Sequence, residues 1–261
     1  MPRSALLNVM VDAAYKAGKS LSRDFGDVQN LQVSLKGPAD FVTKADLKSQ
    51  DIIYRELLHA RPSYGFYGEE GEYIVGEDET IRWIVDPLDG TTNFLHAIPH
   101  FCISIALERD QEIVASVILN PITDELYTAE QGSGSFLNDR RIRVASRRFL
   151  SKSIVCCGIP HIGRKPYDDF FIQLRHLTNK VAGVRHFGAA ALDLAYIAAG
   201  RLDGFWEKGL FPWDMAAGIL LVREAGGFVT DFSGKNMIFE TKSIIAGNEN
   251  IHKEILKIVR Q

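Results

Sequence analysis

An α+β (α/β) fold with two sheets in one compact body is predicted from three features of the chain. Residues 101–144 hold short apolar runs separated by turn signals, the pattern of an antiparallel meander. Residues 154–246 instead alternate strand-like and helical runs, as a mixed sheet with helices would. Two amphipathic stretches precede the meander and can cover one of its faces. The 261 residues suffice for one large core or two packed halves. No repeat or low-complexity linker appears, so the halves, 1–146 and 147–261, meet at a soft boundary.

Leu6, Leu7, Val9, Met10, Ala13, Ala14, Ala17 and Leu21 recur at helical spacing and open the chain as a helix. Lys36-Gly37-Pro38-Ala39-Asp40 reads as a loop by composition. A second helix, starting at Thr43 or Asp46, carries Leu47, Ile52, Ile53 and Leu57 toward Pro62. Tyr64-Gly65-Phe66-Tyr67 is a short strand that delivers Gly68-Glu69-Glu70-Gly71 to a loop. Ile84 and Val85 lead to Asp86, and Pro87, with no N–H to donate, is expected to stop that strand. Strands follow at 101–108 and 112–119, joined by Arg109-Asp110-Gln111, and then at 125–129, 135–137 and 141–144. The second half reads as strand 154–157, helix 167–177, residues 184–186 leading to Gly188, and an alanine-rich helix 189–199 stopped by Gly200. Strand 202–206, helix 213–225, strands 228–230 and 243–246, and a final helix from Ile251 complete the reading.

A composition 46% hydrophobic and 24% charged excludes wholesale disorder. A net charge of −3 gives no electrostatic argument for nucleic-acid binding. The arginine run over 140–148 reads as a solvated loop and strand edge, and with Arg185 it is where a protein partner or dimer contact would be sought. No apolar run is long enough to span a membrane, and the N-terminus is unlike a signal peptide. Three cysteines without framework spacing suggest a reducing compartment, hence a cytoplasmic protein. Cys102 reads as a small core hydrophobe, and Cys156-Cys157 lacks the nearby histidines of a zinc site.

The chemistry-bearing stretch is Trp83-Ile84-Val85-Asp86-Pro87-Leu88-Asp89-Gly90-Thr91-Thr92-Asn93-Phe94. An apolar strand ends here in two carboxylates, followed by small polar residues suited to capping a helix. One turn thus sets ligands for a hard cation beside helix N–H groups that can hold an anion. Water attack on a phosphate monoester needs charge neutralisation, a stabilised leaving oxygen and an activated water, which two divalent ions supply together. Magnesium calls for oxygen ligands, and the candidates are Glu69, Glu70, Asp86, Asp89 and Asp214. Taken singly, Asp214 could be only a helix cap, Glu69-Glu70 an exposed turn and Asp89-Gly90 a common turn dipeptide. His96 and His100 offer a rival mechanism as phosphoryl acceptors or bases, but read better as partly buried or surface residues. Trp83, Trp206 and Trp213 each flank a candidate acid and are read as packing.

Gly68-Glu69-Glu70, then residues 86–94, then Pro212-Trp213-Asp214-Met215-Ala216-Ala217-Gly218 with Glu224-Ala225-Gly226-Gly227 resemble the inositol monophosphatase family across nearly the whole chain. Residues 188–196 and 203–207 look most like its bacterial, extragenic-suppressor-type branch. The resemblance implies a layered αβαβα sandwich and a magnesium-dependent phosphomonoesterase acting on myo-inositol monophosphate through activated water. Two or three magnesium ions per subunit are implied, with manganese able to substitute and lithium inhibitory. Glu69, Asp86 and the Leu88 carbonyl would hold the first ion. Asp86 would bridge to a second, held also by Asp89 and Asp214. Glu70 would support a weaker site, and Lys36 would be a mobile-loop lysine near the metals. Asp46, Thr91 and Glu69 would be catalytic, with the Thr91–Asp46 pair orienting the water. Gly90 and Thr91 would cradle phosphate, while Ala190 and Glu207, with Asp89 and Asp214, would face the sugar. Two departures are visible: the Lys36 loop is one residue shorter than in the animal enzymes, and Ala189 stands where a hydroxyl residue often follows the glycine. A homodimer is implied, and the bacterial branch adds an RNA-polymerase or antitermination partner as an alternative role. Fructose-1,6-bisphosphatase, 3′-phosphoadenosine phosphatase, histidinol-phosphatase and NADP phosphatase activities remain open within the same fold.

Overall fold

The computed structural model describes residues 3–27, 33–37, 40–161 and 168–260. Helix α1 (Ala5–Phe25) starts where the Ser4 side chain accepts the Leu7 N–H at 3.0 Å. Strands β1 (Val33–Gly37) and β2 (Asp40–Thr43) pair antiparallel before helix α2 (Lys44–Ala60). The loop expected over 36–40 is therefore largely strand. Gly37 pairs with Asp40, Lys36 falls on β1 at the irregularity between Leu35 and Gly37, and Pro38 and Ala39 lie outside the described residues.

Strand β3 (Tyr64–Gly68) lies parallel to β4 (Asp78–Asp89), which leads into the short helix α3 (Thr91–Leu95). Strands β5 (Cys102–Arg109), β6 (Glu112–Asn120), β7 (Glu125–Glu130), β8 (Gly134–Leu137) and β9 (Arg140–Ile142) then continue as an antiparallel meander. The seven-stranded sheet runs β3 to β9 in chain order. Pro87 does not end β4: the pairing with β5 continues to Asp89 across a slip after Asp86. An irregular ladder leaves that position needing no N–H, which is how a proline is accommodated.

The later chain builds β10 (Ile154–Cys157), helix α4 (Asp168–Thr178), β11 (Gly183–Arg185), helix α5 (Ala190–Ala198), β12 (Gly204–Lys208) and helix α6 (Pro212–Glu224). After these come β13 (Phe228–Thr230), helix α7 (Ile238–Thr241), β14 (Ser243–Gly247) and helix α8 (Glu249–Val259). The second sheet has the order β11-β10-β12-β14-β13, parallel around β10 and antiparallel around β14. Helix α7 was not anticipated, since four residues are too short for periodicity to register. Tyr167, expected at the start of α4, lies outside the described residues.

Period-two alternation sorts the strands into layers. Trp83 and Val85 face α1 and α2, packing with Met10, Leu21, Ile53 and Leu57. Ile84 points the other way, into a core shared with Leu192, Leu194, Met215 and Leu221 and with Phe205 and Ala246 of the second sheet. Trp206 and Ile245, on the far face of that sheet, pack under Phe170, Leu177, Ile251 and Ile255. The result is the expected αβαβα sandwich, with α5 and α6 as the shared middle layer.

Candidate active site

The end of β4 sets the centre of the site. Asp86 is 2% exposed, and its Oδ1 accepts the Leu88 N–H at 2.9 Å. Gly90 follows with φ of 92°, and an added Cβ would stand 3.0 Å from the His100 carbonyl oxygen and 3.1 Å from the Ala189 Cβ. Both backbone and space therefore require glycine there. The expected side-chain cap on α3 is not made: Gly90 holds the cap position. The Thr91 hydroxyl lies instead 3.0 Å from Asp46 Oδ1 and 3.0 Å from the Leu88 carbonyl oxygen.

Asp46, Ser49 and Gln50 recur at i, i+3 and i+4, so α2 turns all three toward the motif. Ser49 Oγ donates to the Pro87 carbonyl at 2.8 Å. Gln50 clasps the Glu70 backbone, accepting its N–H at 2.9 Å and donating to its carbonyl. Sequence reading found Asp46 but missed Ser49 and Gln50, whose helical spacing from Asp46 was the available signal. The Glu69 N–H donates to the Val85 carbonyl at 3.0 Å, extending the β3–β4 pairing and bringing Glu69 beside Asp86. Glu70 is buried and is not among the residues lining the cleft. Lys36 lies on β1, where only the backbone is described.

Two helix starts supply the opposite wall. Asp89 Oδ2 accepts the Ala191 N–H at 2.8 Å, one of the first-turn donors of α5 that lack a helical acceptor. Ala190 lines the cleft beside it. Asp214 Oδ2 accepts the Phe211 N–H at 2.8 Å, so it does serve the start of α6 while also facing the cleft. Trp213 stacks on Phe211 with ring centres 4.9 Å apart and meets Tyr67 edge-on at 5.2 Å, linking α6 to β3. The packing role expected of Trp213 takes this form. Glu207 reaches the same cleft from β12.

These residues line one cavity of about 1310 Å³, which takes in Glu69, Asp86, Leu88, Asp89, Gly90, Thr91, Ala190, Glu207 and Asp214. Burial pushes the Asp86 carboxyl well above the usual carboxylate range, and the charges of Glu69, Asp89 and Asp214 push it further. The Leu88 N–H only partly offsets this. Asp89 is raised first by burial and then by Asp214, against the opposing Ala191 N–H. Among the described residues, no three His, Cys, Asp or Glu side chains alone enclose a metal ion. The donor set nevertheless fits a hard cation, because it consists of carboxylates plus a carbonyl and leaves room for retained waters. Buried like charges that raise one another's pKa are what a divalent ion would relieve.

His100 is committed elsewhere, with Nε2 3.2 Å from Asp193 Oδ1 and its ring stacked on Phe187. His96 ends α3. Cys102, Cys156 and Cys157 are buried free thiols, and burial raises each pKa, that of Cys157 to about 12.

Fold and acidic cleft together define a phosphatase of the metal-using kind. Residues 3–261 match the Inositol monophosphatase family, and the chain belongs to it. It is 62% identical to an inositol-1-monophosphatase of Rhizobium meliloti (strain 1021), over 100% of this chain and 98% of that protein. It is 41% identical to the Nus factor SuhB of Pseudomonas aeruginosa, over 98% and 96% of the two chains. The crystal structure of extragenic suppressor protein suhB from Bartonella henselae superposes with a TM-score of 0.97 at 60% identity, covering 99% of each chain.

Proposed function

We propose that this chain is a magnesium-dependent phosphatase that hydrolyses myo-inositol monophosphate to inositol and phosphate. The single observation that carries the reading is the buried Asp86 carboxylate among Glu69, Asp89 and Asp214, in a cleft also lined by Thr91, whose hydroxyl is backed by the buried Asp46. Glu69, Asp86 and the Leu88 carbonyl, with Asp89 and Asp214 across the cleft, would hold two magnesium ions. When bound, such ions neutralise phosphate charge, stabilise the leaving oxygen and acidify a water. Thr91 Oγ would take a proton from the attacking water as its own proton passes to Asp46 Oδ1, 3.0 Å away. The N–H groups of Gly90 and Thr91, at the start of α3, would face the phosphate oxygens. Ala190 and Glu207 would meet the ring hydroxyls. Glu70 and Lys36 belong to the same reading as supports of a third, weaker ion.

The name of the Rhizobium meliloti relative supports this substrate. Family membership supports metal use and, as further parts of the proposal, lithium inhibition and a homodimer. Free buried cysteines fit a cytoplasmic setting. No helix among the described residues is long and apolar enough to cross a membrane. A second reading, an RNA-polymerase-associated role, is favoured by the likeness to Nus factor SuhB. The separating experiment measures phosphate release from a panel of monoesters, with and without magnesium and lithium. Magnesium-dependent, lithium-sensitive release led by inositol monophosphate, and lost in Asp214→Asn, is the expected result. No release from any ester would leave the binding role as the better account.

A further inference from the structure

Strands β10 and β12 pair in parallel, with Cys157 opposite Trp206. The next residues along each strand, Gly158 and Glu207, therefore stand side by side at the cleft, which both line. A Cβ built on Gly158 would overlap the carboxyl carbon and both oxygens of Glu207. That is far inside the roughly 3.5–4.0 Å of an ordinary carbon contact. The Glu207 carboxylate thus rests in the space a side chain at Gly158 would fill.

The chain path does not demand this glycine. Gly158 is not among the residues with positive φ, so its backbone is open to an alanine. The surrounding backbone is fixed, however. Trp206 is fully buried on the opposite face, β10 is paired on both sides, and His186 Nδ1 lies 2.9 Å from the Cys157 carbonyl oxygen. An added methyl would therefore shift the flexible carboxylate and leave the strands in place.

We infer that Gly158 is the positioning residue that sets polyol specificity: its missing side chain fixes the depth at which the Glu207 carboxylate accepts hydroxyl groups of the substrate. The inference rests on the proposed role of Glu207. A carboxylate displaced by about 1 Å from its hydroxyl donors loses roughly 10- to 100-fold in turnover efficiency. Selectivity falls with it, because an ester without hydroxyls makes no such bond.

The test compares kcat/KM for inositol monophosphate with that for an aryl phosphate, in wild type, Gly158→Ala, Glu207→Ala and the double variant. The expected result is that Gly158→Ala lowers the polyol-to-aryl ratio at least about tenfold, chiefly through KM, with the melting temperature nearly unchanged. Added to Glu207→Ala, it should change the ratio less than about twofold, because the two act through one carboxylate. The double variant has room for the methyl, so its folding separates backbone damage from carboxylate displacement. Equal losses on both esters, or a further loss of selectivity in the double variant, would overturn the inference. A selective wild type matched by an equally selective Gly158→Ala would overturn it alone. A wild type that cleaves only the aryl ester would overturn the proposed function, and this inference with it.

Discussion

Replacing Asp86 with Asn should stabilise the metal-free protein and remove its response to magnesium. Asp86 is buried among Glu69, Asp89 and Asp214, and its pKa is raised by burial first and by those charges next. A carboxyl raised in the native state holds its proton more tightly there than in the unfolded chain. Metal-free protein therefore loses stability as pH rises from the ordinary carboxylate range, near 3.9, through the raised value. Each tenfold change in that ionisation equilibrium is worth about 1.4 kcal/mol, and 1 kcal/mol moves the melting temperature of a chain this long by roughly 2–4 °C. Asn keeps an acceptor for the Leu88 N–H while removing the charge, so Asp86→Asn should melt several degrees higher than wild type at pH 7.5 without metal. In wild type, magnesium at about 100 times its Kd adds roughly 2.7 kcal/mol, or about 5–11 °C, and adds more at pH 8 than at pH 5.5. Thermal unfolding in chelator and in a magnesium series, at both pH values, measures all three effects. A wild-type melting temperature indifferent to magnesium, or an Asp86→Asn protein that still responds like wild type, refutes the reasoning.

Asp46→Asn should cut kcat by about 10²–10⁴ while leaving the magnesium melting shift in place, since Asp46 meets Thr91 and is not among the proposed ligands. Steady-state kinetics beside a metal titration checks it, and joint loss of both would move Asp46 into the metal site. Gly90→Ala must adopt a φ of 92° and press on the His100 carbonyl and the Ala189 Cβ. Denaturant unfolding should show a loss of about 1–3 kcal/mol, and a neutral result would mean that α3 can re-form another way.

Legibility in the sequence followed physical range. Strands with a clean period of two and helices with a clean stripe were readable, and the layers followed because Trp83 and Val85 face one core while Ile84 faces another. What misled was local chemistry judged without its partners. Pro87 looked like the end of a strand, yet a slipped ladder receives it. The Lys36–Asp40 stretch looked like a loop, yet its flanks pair. The carboxylates stood out in the sequence because a hard-cation site calls for Asp or Glu, and the fold brings Glu69, Asp86, Asp89 and Asp214 to one cleft. Ser49 and Gln50 were not, because a serine and a glutamine on a helix face have no distinctive pattern until the loops they hold are in place.

That division also explains how the chain tolerates its own site. Several buried carboxylates facing one cleft oppose folding, so the groups around them must be fixed by contacts independent of any ion. Helix α2 supplies these through Asp46 on Thr91, Ser49 on the Pro87 carbonyl and Gln50 on the Glu70 backbone. The Ala191 N–H fixes Asp89, and the α6 start fixes Asp214. The first three bonds hold the β3–loop and β4–α3 backbone in place, and the last two each take one oxygen of a carboxylate that lines the cleft. The rigid elements carry the positional accuracy while the acids carry the charge. An ion entering the cleft would then meet ligands already aimed, and its binding energy could go to charge relief with little left to spend on ordering the loops.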